Sequence, residues 1–461
     1  MKKIIIVLTL ISASKFVYAG QPLTPEQLDN VFTYISNQTR DAWIPSGTIE
    51  GTHIQIKPDE DRIITTTEKV MYDGNRFRWE VNIDSCENLD QKPVKSEDIV
   101  NNTKRIFVWD GIEYTMYFES GHNAIVTEDM SNIPVVVNGP LKAGIVPWGH
   151  GIYSRKQLEA ALVSAEYDSN GHVIMRFEKV TVYSLELMLD PAKDYAVISR
   201  VNLRPGKTRI RNSYSDYSKY GNYWIPSTVV TETIRYTAGS ISEQMGEAWH
   251  ITSVDLNPVT PDQFRAEFED NTRVEHRLPE KVISYRHKTE RNTSYMLQHK
   301  KYNLSLGNRI DRNCATAAMT YILSCLGKEI KSDDFDGLVT GQNKSTSLFE
   351  LDRLVKRKEL NSLAVKSKIE TLAGLIDSYV LLHLAKTNHY VILDHIDNSH
   401  VWLIDLDSNK FYYRLSFDQF LSQWENRTAL IISDKAISVP AGSTEIPEEQ
   451  LYQIKGSSSG F

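Results

Sequence analysis

Among the three cysteines of this 461-residue chain, one stands where a thiol could do chemistry. The stretch Asn313-Cys314-Ala-Thr-Ala-Ala-Met-Thr-Tyr-Ile-Leu-Ser-Cys325-Leu-Gly327 reads as a helix. Asn313 is a natural N-cap, the alanines favour helical backbone and Gly327 is a natural stop. Cys314 then falls on the first turn, among backbone N–H groups with no intrahelical partner, at the positive end of the dipole, a setting that favours thiolate. A nucleophilic thiolate needs a group that takes and returns a proton near neutrality, which points to histidine. Four histidines follow the helix, His383, His389, His395 and His400. His389 opens the apolar run His-Tyr-Val-Ile-Leu, so it stands at the mouth of a strand where a side chain reaches a cleft. The chain turns near Asp397-Asn398-Ser399 and returns as His400-Val-Trp-Leu-Ile-Asp405. In such a hairpin paired positions sum to a nearly constant number, and parity puts His389 and Asp405 on one face. Asp405 is the candidate orienting carboxylate and Asp407, on the same face, the second choice. His383 reads as a core histidine inside an apolar strand, and His395 and His400 as flanks of the turn.

A rival reading joins His389, His395 and Asp405 around a metal, but the chain has no His-Glu-x-x-His and no close Cys/His pair at zinc spacing. No metal or other cofactor is expected. Cys325 lies eleven residues beyond Cys314, about 16 Å along a helix rising ~1.5 Å per residue, whereas a disulfide needs Cα atoms within ~7 Å. It reads as a small core residue continuing the face of Ile322. An odd, sparse cysteine count, with Cys86 far away, supports no disulfide framework.

These residues need elements to hold them. The region 306–434 runs from helices to strands. Helices are predicted for Cys314 to Leu326, Ser347 to about Lys358 and Glu370 to Ser378. Strands are predicted for Tyr379 to Leu384, His389 to Ile396, His400 to Leu406 and Phe411 to Leu415, then a short helix Phe417 to Trp424 and a strand Thr428 to Ile432. Helices first and an antiparallel sheet afterwards is an α+β layout. Residues 21–280 instead read as mostly antiparallel β. Asp73-Gly74, Asp110-Gly111 and Asn170-Gly171 stand between runs rich in Val, Ile, Tyr, Phe and Trp, the hairpin signature. Further runs span Tyr195 to Leu203, Trp224 to Tyr236, Trp249 to Leu256 and Phe264 to Phe268. Two helices interrupt them, one opened by Thr24-Pro25-Glu26-Gln27 and one from Ser154 to about Val163, each with a capping pair. Residues 281–305, basic and without apolar period, read as a linker, and 435–461 as a flexible tail.

The first nineteen residues read as a signal peptide: Lys2-Lys3, an apolar run from Ile4 to about Ala13, and Val17-Tyr18-Ala19 before the cut. That run is about half of the ~20 residues a bilayer span needs, and no later stretch is longer. The mature chain is thus expected to be exported, periplasmic or extracellular, without a transmembrane segment. Its 59 acidic against 52 basic residues exclude nucleic acid as main partner. The 41% apolar residues suffice for the cores of two or three domains.

Residues 306–434 resemble the peptidase domain of the double-glycine-leader (bacteriocin-processing) cysteine peptidases, a papain-like fold. The resemblance rests on a Cys opening a helix that ends in Leu-Gly-Lys, a second helix after a Gly-rich turn (Gly341 to Leu351), the His-Tyr-Val-Ile-Leu strand and an Asp sixteen residues after its His. It implies Cys314 as nucleophile, His389 as general base and then acid, and Asp405 as orienting carboxylate, acting on a peptide or protein substrate. The family's amide donor to the oxyanion, usually Gln six residues before the Cys, would be Asn308, one methylene shorter. The usual Asp-Cys-Gly is Asn313-Cys314-Ala315 here, and the usual Asp-Pro is Asp405-Leu406. No membrane spans or nucleotide-binding loop of an associated transporter occur, which points away from leader processing coupled to export. The hairpin-rich region 21–280, with Tyr72-Asp-Gly-Asn-Arg-Phe-Arg-Trp79 and Tyr223-Trp-Ile-Pro-Ser, is similar to LolA-like half-barrels, which implies a lipid or lipoprotein ligand or a recruitment surface. The expectation is an exported cysteine peptidase with a β-rich recruiting domain. The alternatives are a catalytically silent peptidase-fold binding protein and a periplasmic lipid or lipoprotein carrier.

Overall fold

The structure, a computed structural model, describes residues 20–37, 46–74, 76–94, 104–128, 155–178, 184–237, 240–279, 281–305, 313–336, 338 and 345–457. The signal-peptide reading of 1–19, the amide candidate Asn308, the helix cap Ser154 and the turn at Gly341 lie outside the described residues. The chain divides into two compact units, Met1–Gly111 with Pro134–Arg265 and Ile112–Ile133 with Ala266–Phe461.

In the first unit, alternating sequence becomes an antiparallel meander. Its strands run, in sheet order, Leu162–Tyr167, Val173–Phe177, Ser184–Asp190, Ala196–Arg204, Thr208–Tyr220, Tyr223–Thr237, Ser240–Asp255, Ser46–Lys57, Arg62–Asp73, Arg76–Glu87 and Lys104–Trp109. Gly74 and Gly171 take positive φ, +58° and +83°, in the two turns their dipeptides announced. The helix Pro25–Asn37 opens on its capping box: the Gln27 N–H donates to Thr24 Oγ1 (3.2 Å) and the Thr24 N–H to Gln27 Oε1 (2.9 Å). Val31, Phe32 and Ile35 of that helix, with Leu158, pack over Val173, Met175, Phe177, Leu185, Leu187 and Leu189. The strand positions alternate, so one face of the sheet supplies the core. One expected strand is absent. Phe264 ends a 3-10 turn, Pro261–Phe264, and residues 265–269 have no regular structure. Pro261 at the first position and the Thr260/Gln263 capping box favour a helical turn over extended chain there.

Elements of the second unit are numbered in chain order: β1 (Tyr114–Phe118), β2 (Asn123–Thr127), β3 (Arg273–Arg277), β4 (Val282–Arg286), α1 (Thr293–Ser305), α2 (Cys314–Cys325), β5 (Ser345–Ser347), α3 (Leu348–Arg357), β6 (Asn361–Lys366), α4 (Ile369–Ala373), β7 (Tyr379–Leu384), β8 (His389–Ile396), β9 (His400–Ile404), β10 (Lys410–Ser416), α5 (Phe417–Leu421), β11 (Thr428–Ser433), β12 (Thr444–Glu445), α6 (Glu448–Leu451) and β13 (Lys455–Ser457). Strands β6, β11, β7, β8, β9 and β10 are successive antiparallel neighbours, and β4 joins β10 in parallel. Val380, Leu382, Val391, Val401 and Leu403 project from one face into a core closed by Phe420 and Trp424. Helix α2 packs against β8 and is buried through Leu323, as a helix with no charged residue must be.

Two expectations are corrected here. Residues 281–305, read as a linker, form β4 and α1. Two of their lysines are bonded within the unit: Lys300 Nζ donates to the carbonyls of Leu406 (2.7 Å) and Ser408 (2.8 Å), and Lys301 to Glu113 and Glu128. Residues 435–461, read as a flexible tail, contribute β12, α6 and β13 among the described residues. No helix of the described residues is long and apolar enough to cross a membrane.

Candidate active site

Cys314 owes its place to the residue before it. Asn313, fully buried with an extended backbone (φ −153°), accepts the N–H groups of Ala315 (3.0 Å) and Thr316 (3.1 Å) on its side-chain oxygen. Its own N–H donates to Thr316 Oγ1 (3.1 Å), and its Nδ2 donates to Thr346 Oγ1 on β5 (2.7 Å). The cap thus ends the loop and fixes helix α2 to a neighbouring strand in one step. Cys314, 2% exposed, is the first helical residue. Its sulfur accepts the N–H of Tyr390 (3.4 Å), and its thiol donates to the Ser457 carbonyl (3.4 Å).

His389 is delivered by the β7–β8 hairpin, in which Leu384 pairs with His389. Asn388, immediately before it, takes φ +49°, a left-handed conformation asparagine tolerates better than most residues. His389 Nε2 lies 2.8 Å from Asp405 Oδ2, with both side chains buried. The pairing Ile392↔Ile404 makes partners sum to 796 beside the site, and a bulge between Leu393 and His395 shifts the register toward the turn. Asp405 therefore stands across from Val391 and reaches His389 diagonally, on the face parity predicted. The other Asp405 oxygen accepts the N–H groups of Asp407 (3.2 Å) and Ser408 (3.1 Å). Asp405, and not the second choice Asp407, makes the imidazole bond.

The charges follow from this geometry. Burial opposes ionisation of Asp405, yet the His389 bond and the N–H donors hold its carboxyl below the ordinary value. Burial likewise opposes a charged His389, but Asp405 and the adjacent Cys314 thiol push its pKa up to about 11. With Nε2–H committed to the carboxylate, Nδ1 is buried and makes no hydrogen bond among the described residues. With its pKa that high, the ring at neutral pH holds a proton drawn from a neighbouring thiol and can return it to a leaving group. Burial raises Asp407, which suits a spectator.

The remaining candidates separate. His383 Nε2 donates to the Lys455 carbonyl (2.9 Å) and its Nδ1 accepts from Asn426 (3.0 Å), a satisfied buried histidine with its pKa lowered by burial. His395 bonds Asp394 (2.7 Å) and stacks on Trp402, and His400 bonds Ser399 (2.7 Å), so neither joins His389 around a metal. Cys325 ends α2 half-buried, among Tyr321, Tyr379 and Tyr295, with its thiol pushed up by burial. All three cysteines are free. Glu113, Glu128 and His276 converge closely enough to hold a cation, but Lys301 Nζ already lies 2.9 and 3.1 Å from the two carboxylates and supplies the positive charge. A surface cavity of about 360 Å³ lined by His299, Tyr302, Thr320, Ser324 and Lys328 does not include Cys314 or His389. Sequence reasoning missed the segment 454–457 beside Cys314; the Pro447-Glu448-Glu449 helix start ahead of it was the available signal.

The C-terminal part has an α+β fold, helices packed on an antiparallel sheet. Residues 308–436, a little over a quarter of the chain, match the model of the Peptidase C39 family. Among solved structures, the chain is similar to the peptidase domain of Streptococcus ComA, a bi-functional ABC transporter, with 19% identity over 27% of this chain and 93% of that one, at a TM-score of 0.24. It is also similar to a double glycine motif protease from an AMS/PCAT transporter, with 14% identity over 26% of this chain and 83% of that one (TM-score 0.23). A LolA superfamily protein from Nitrosomonas europaea matches with 12% identity over 51% of this chain and 97% of its own (TM-score 0.31). No curated protein matches the chain.

Proposed function

We propose that this chain is an exported cysteine peptidase that hydrolyses a peptide bond through Cys314, His389 and Asp405. The observation that carries the reading is the buried 2.8 Å bond between His389 and Asp405, which leaves Nδ1 open beside the Cys314 thiol. In this reading Nδ1 already holds the proton of the Cys314 thiol, the thiolate sulfur attacks a substrate carbonyl carbon, and the ring gives that proton to the departing amine as the C–N bond breaks. Water, activated by the same nitrogen, releases the thioacyl group. Asp405 holds the ring and its tautomer throughout. Asn308 would donate its amide to the developing oxyanion, with the Cys314 N–H as second donor. The β-rich unit would recruit the peptide or protein substrate, or a lipid or lipoprotein that carries it.

The test is chemical. Iodoacetamide labelling of Cys314, resolved by peptide mass spectrometry near neutral pH, should slow in His389→Ala while Cys86 and Cys325 keep their rates. Peptide-library cleavage should vanish in Cys314→Ala. Cys314 labelling indifferent to His389, with identical library products from both chains, would sink the assignment.

A further inference from the structure

The thiol of Cys314 has an occupant that is part of the same unit. Beyond β11 the chain stays bound to the domain: β12 pairs with β6, Ile446 and Leu451 are buried, and the Tyr452 ring stacks on Phe349 at 3.8 Å. The segment that follows runs into the site. The Ile454 carbonyl accepts Leu348 N–H (2.8 Å) and the Tyr390 hydroxyl (3.1 Å). Strand β13 then pairs antiparallel with β5, in the register Ser345↔Ser457, Thr346↔Gly456 and Ser347↔Lys455. The Lys455 carbonyl is held by His383, and the Ser457 N–H donates to the Asn388 carbonyl (2.8 Å), one residue before His389. Its carbonyl takes the Cys314 thiol.

We infer that Lys455–Ser457 is an intramolecular block of the site, an extended strand that fills the approach to Cys314 and must leave before a peptide can enter. This rests on the reading of Cys314 as the nucleophile. Three observations carry it. The sulfur is covered although it is the atom a substrate must reach. The backbone of 454–457 is bonded by β5, Tyr390, His383 and Asn388, which is how a peptide is held by strand addition. Gly456 lies flat on Tyr390: a Cβ there would stand 2.3 Å from ring atom Cδ2, so no other residue fits without moving the ring. The hold is also reversible by construction. A two-strand pairing of three residues each is weak alone, and its strength comes from the tether at α6, which keeps the strand at a local concentration on the order of millimolar. A free peptide at micromolar concentration loses to such a competitor, and removing either the seat or the tether frees the thiol.

The experiment compares three full-unit chains: the native sequence, Gly456→Leu, and a chain ending at Gln453, which keeps α6 and its buried Leu451. Each is labelled with iodoacetamide, with Cys86 and Cys325 as internal references for an unaltered fold. Cys314 labelling should rise about tenfold or more in both altered chains while the references stay within twofold, as the loss of a millimolar tethered competitor requires. Equal Cys314 rates in all three chains overturn the block. The peptidase reading is judged separately, by adding His389→Ala to the chain ending at Gln453. Fast labelling there that ignores the histidine leaves the block standing and removes the nucleophile assignment. Histidine-dependent labelling with no effect of either tail change does the reverse.

Discussion

Helix α2 carries a cysteine at each end, and the two ends could hardly differ more. At its start, Cys314 meets a capped, partner-rich setting: Asn313 fixes the first turn, Tyr390 donates an N–H to the sulfur, and His389 stands beside it with an open nitrogen. At its end, Cys325 is half-buried among three tyrosines, and burial raises its thiol. Residue type and secondary structure are the same, so the contrast isolates what surrounds each thiol. The difference is the capped N-terminus together with a histidine 75 residues further along the chain, the setting that the proposed nucleophile requires.

The contrast can be broken in order of expected size. Cys314→Ala should abolish peptide hydrolysis, whereas Cys325→Ala should leave it within about twofold, measured as turnover of a cleaved library peptide; equal losses would erase the distinction between the two ends. Next comes His389→Ala, which removes the proton acceptor and should lower turnover by about 10²- to 10⁴-fold, with the alkylation rate of Cys314 dropping to that of Cys325. Asp405→Asn should cost less than losing the base, because it disturbs the orientation and charge of an imidazole that is still present. A rate loss equal to that of His389→Ala, with Tm unchanged, would assign Asp405 a larger part than orientation.

The pair should also be visible in stability. His389 has its pKa raised from 6.5 to about 11, so its contribution is complete below pH 6.5 and is lost as pH rises toward 11; Asp405 is lowered from 3.8, so its contribution is complete above pH 3.8 and fades as pH falls below it. The Tm lead of the native chain over His389→Gln should therefore be widest between these two values and narrow on both sides, as thermal unfolding across pH would record. The smallest effect belongs to the cap. Asn313→Ala should cost about 0.5–2 kcal/mol in urea unfolding, near the upper end because Thr346 loses its buried donor too.

Much of this site was legible because it is local. Asn313 before an alanine-rich run, Gly327 after it and the alternation of His389 to Ile396 and His400 to Leu406 encode a capped helix and a hairpin, and the one-residue bulge within that hairpin brings His389 and Asp405 onto one face. The bulge at Asp394 changes the pairing sum from 797 beside the turn to 796 beside the site, a one-residue shift that no local pattern contains. Residues 281–305 were opaque for a related reason. Their lysines look solvated in sequence, but Lys300 is buried against the carbonyls of Leu406 and Ser408, more than a hundred positions away. Strand β6 and the run 265–269 erred in opposite directions, one a strand by virtue of β11 beside it, the other extended in composition but without a partner.

The sequence by itself determined which thiol opens a helix and which histidine opens a strand, because caps, periods and turns act over a few residues. Only the tertiary structure decided that these two meet in a buried cluster, that Asp405 rather than Asp407 takes the imidazole, and that Gly456 and Ser457 lie against Tyr390 and the thiol. Those outcomes depend on packing between segments far apart in the chain, where a difference of one strand register or one side-chain volume selects the partner, and no local pattern records that choice.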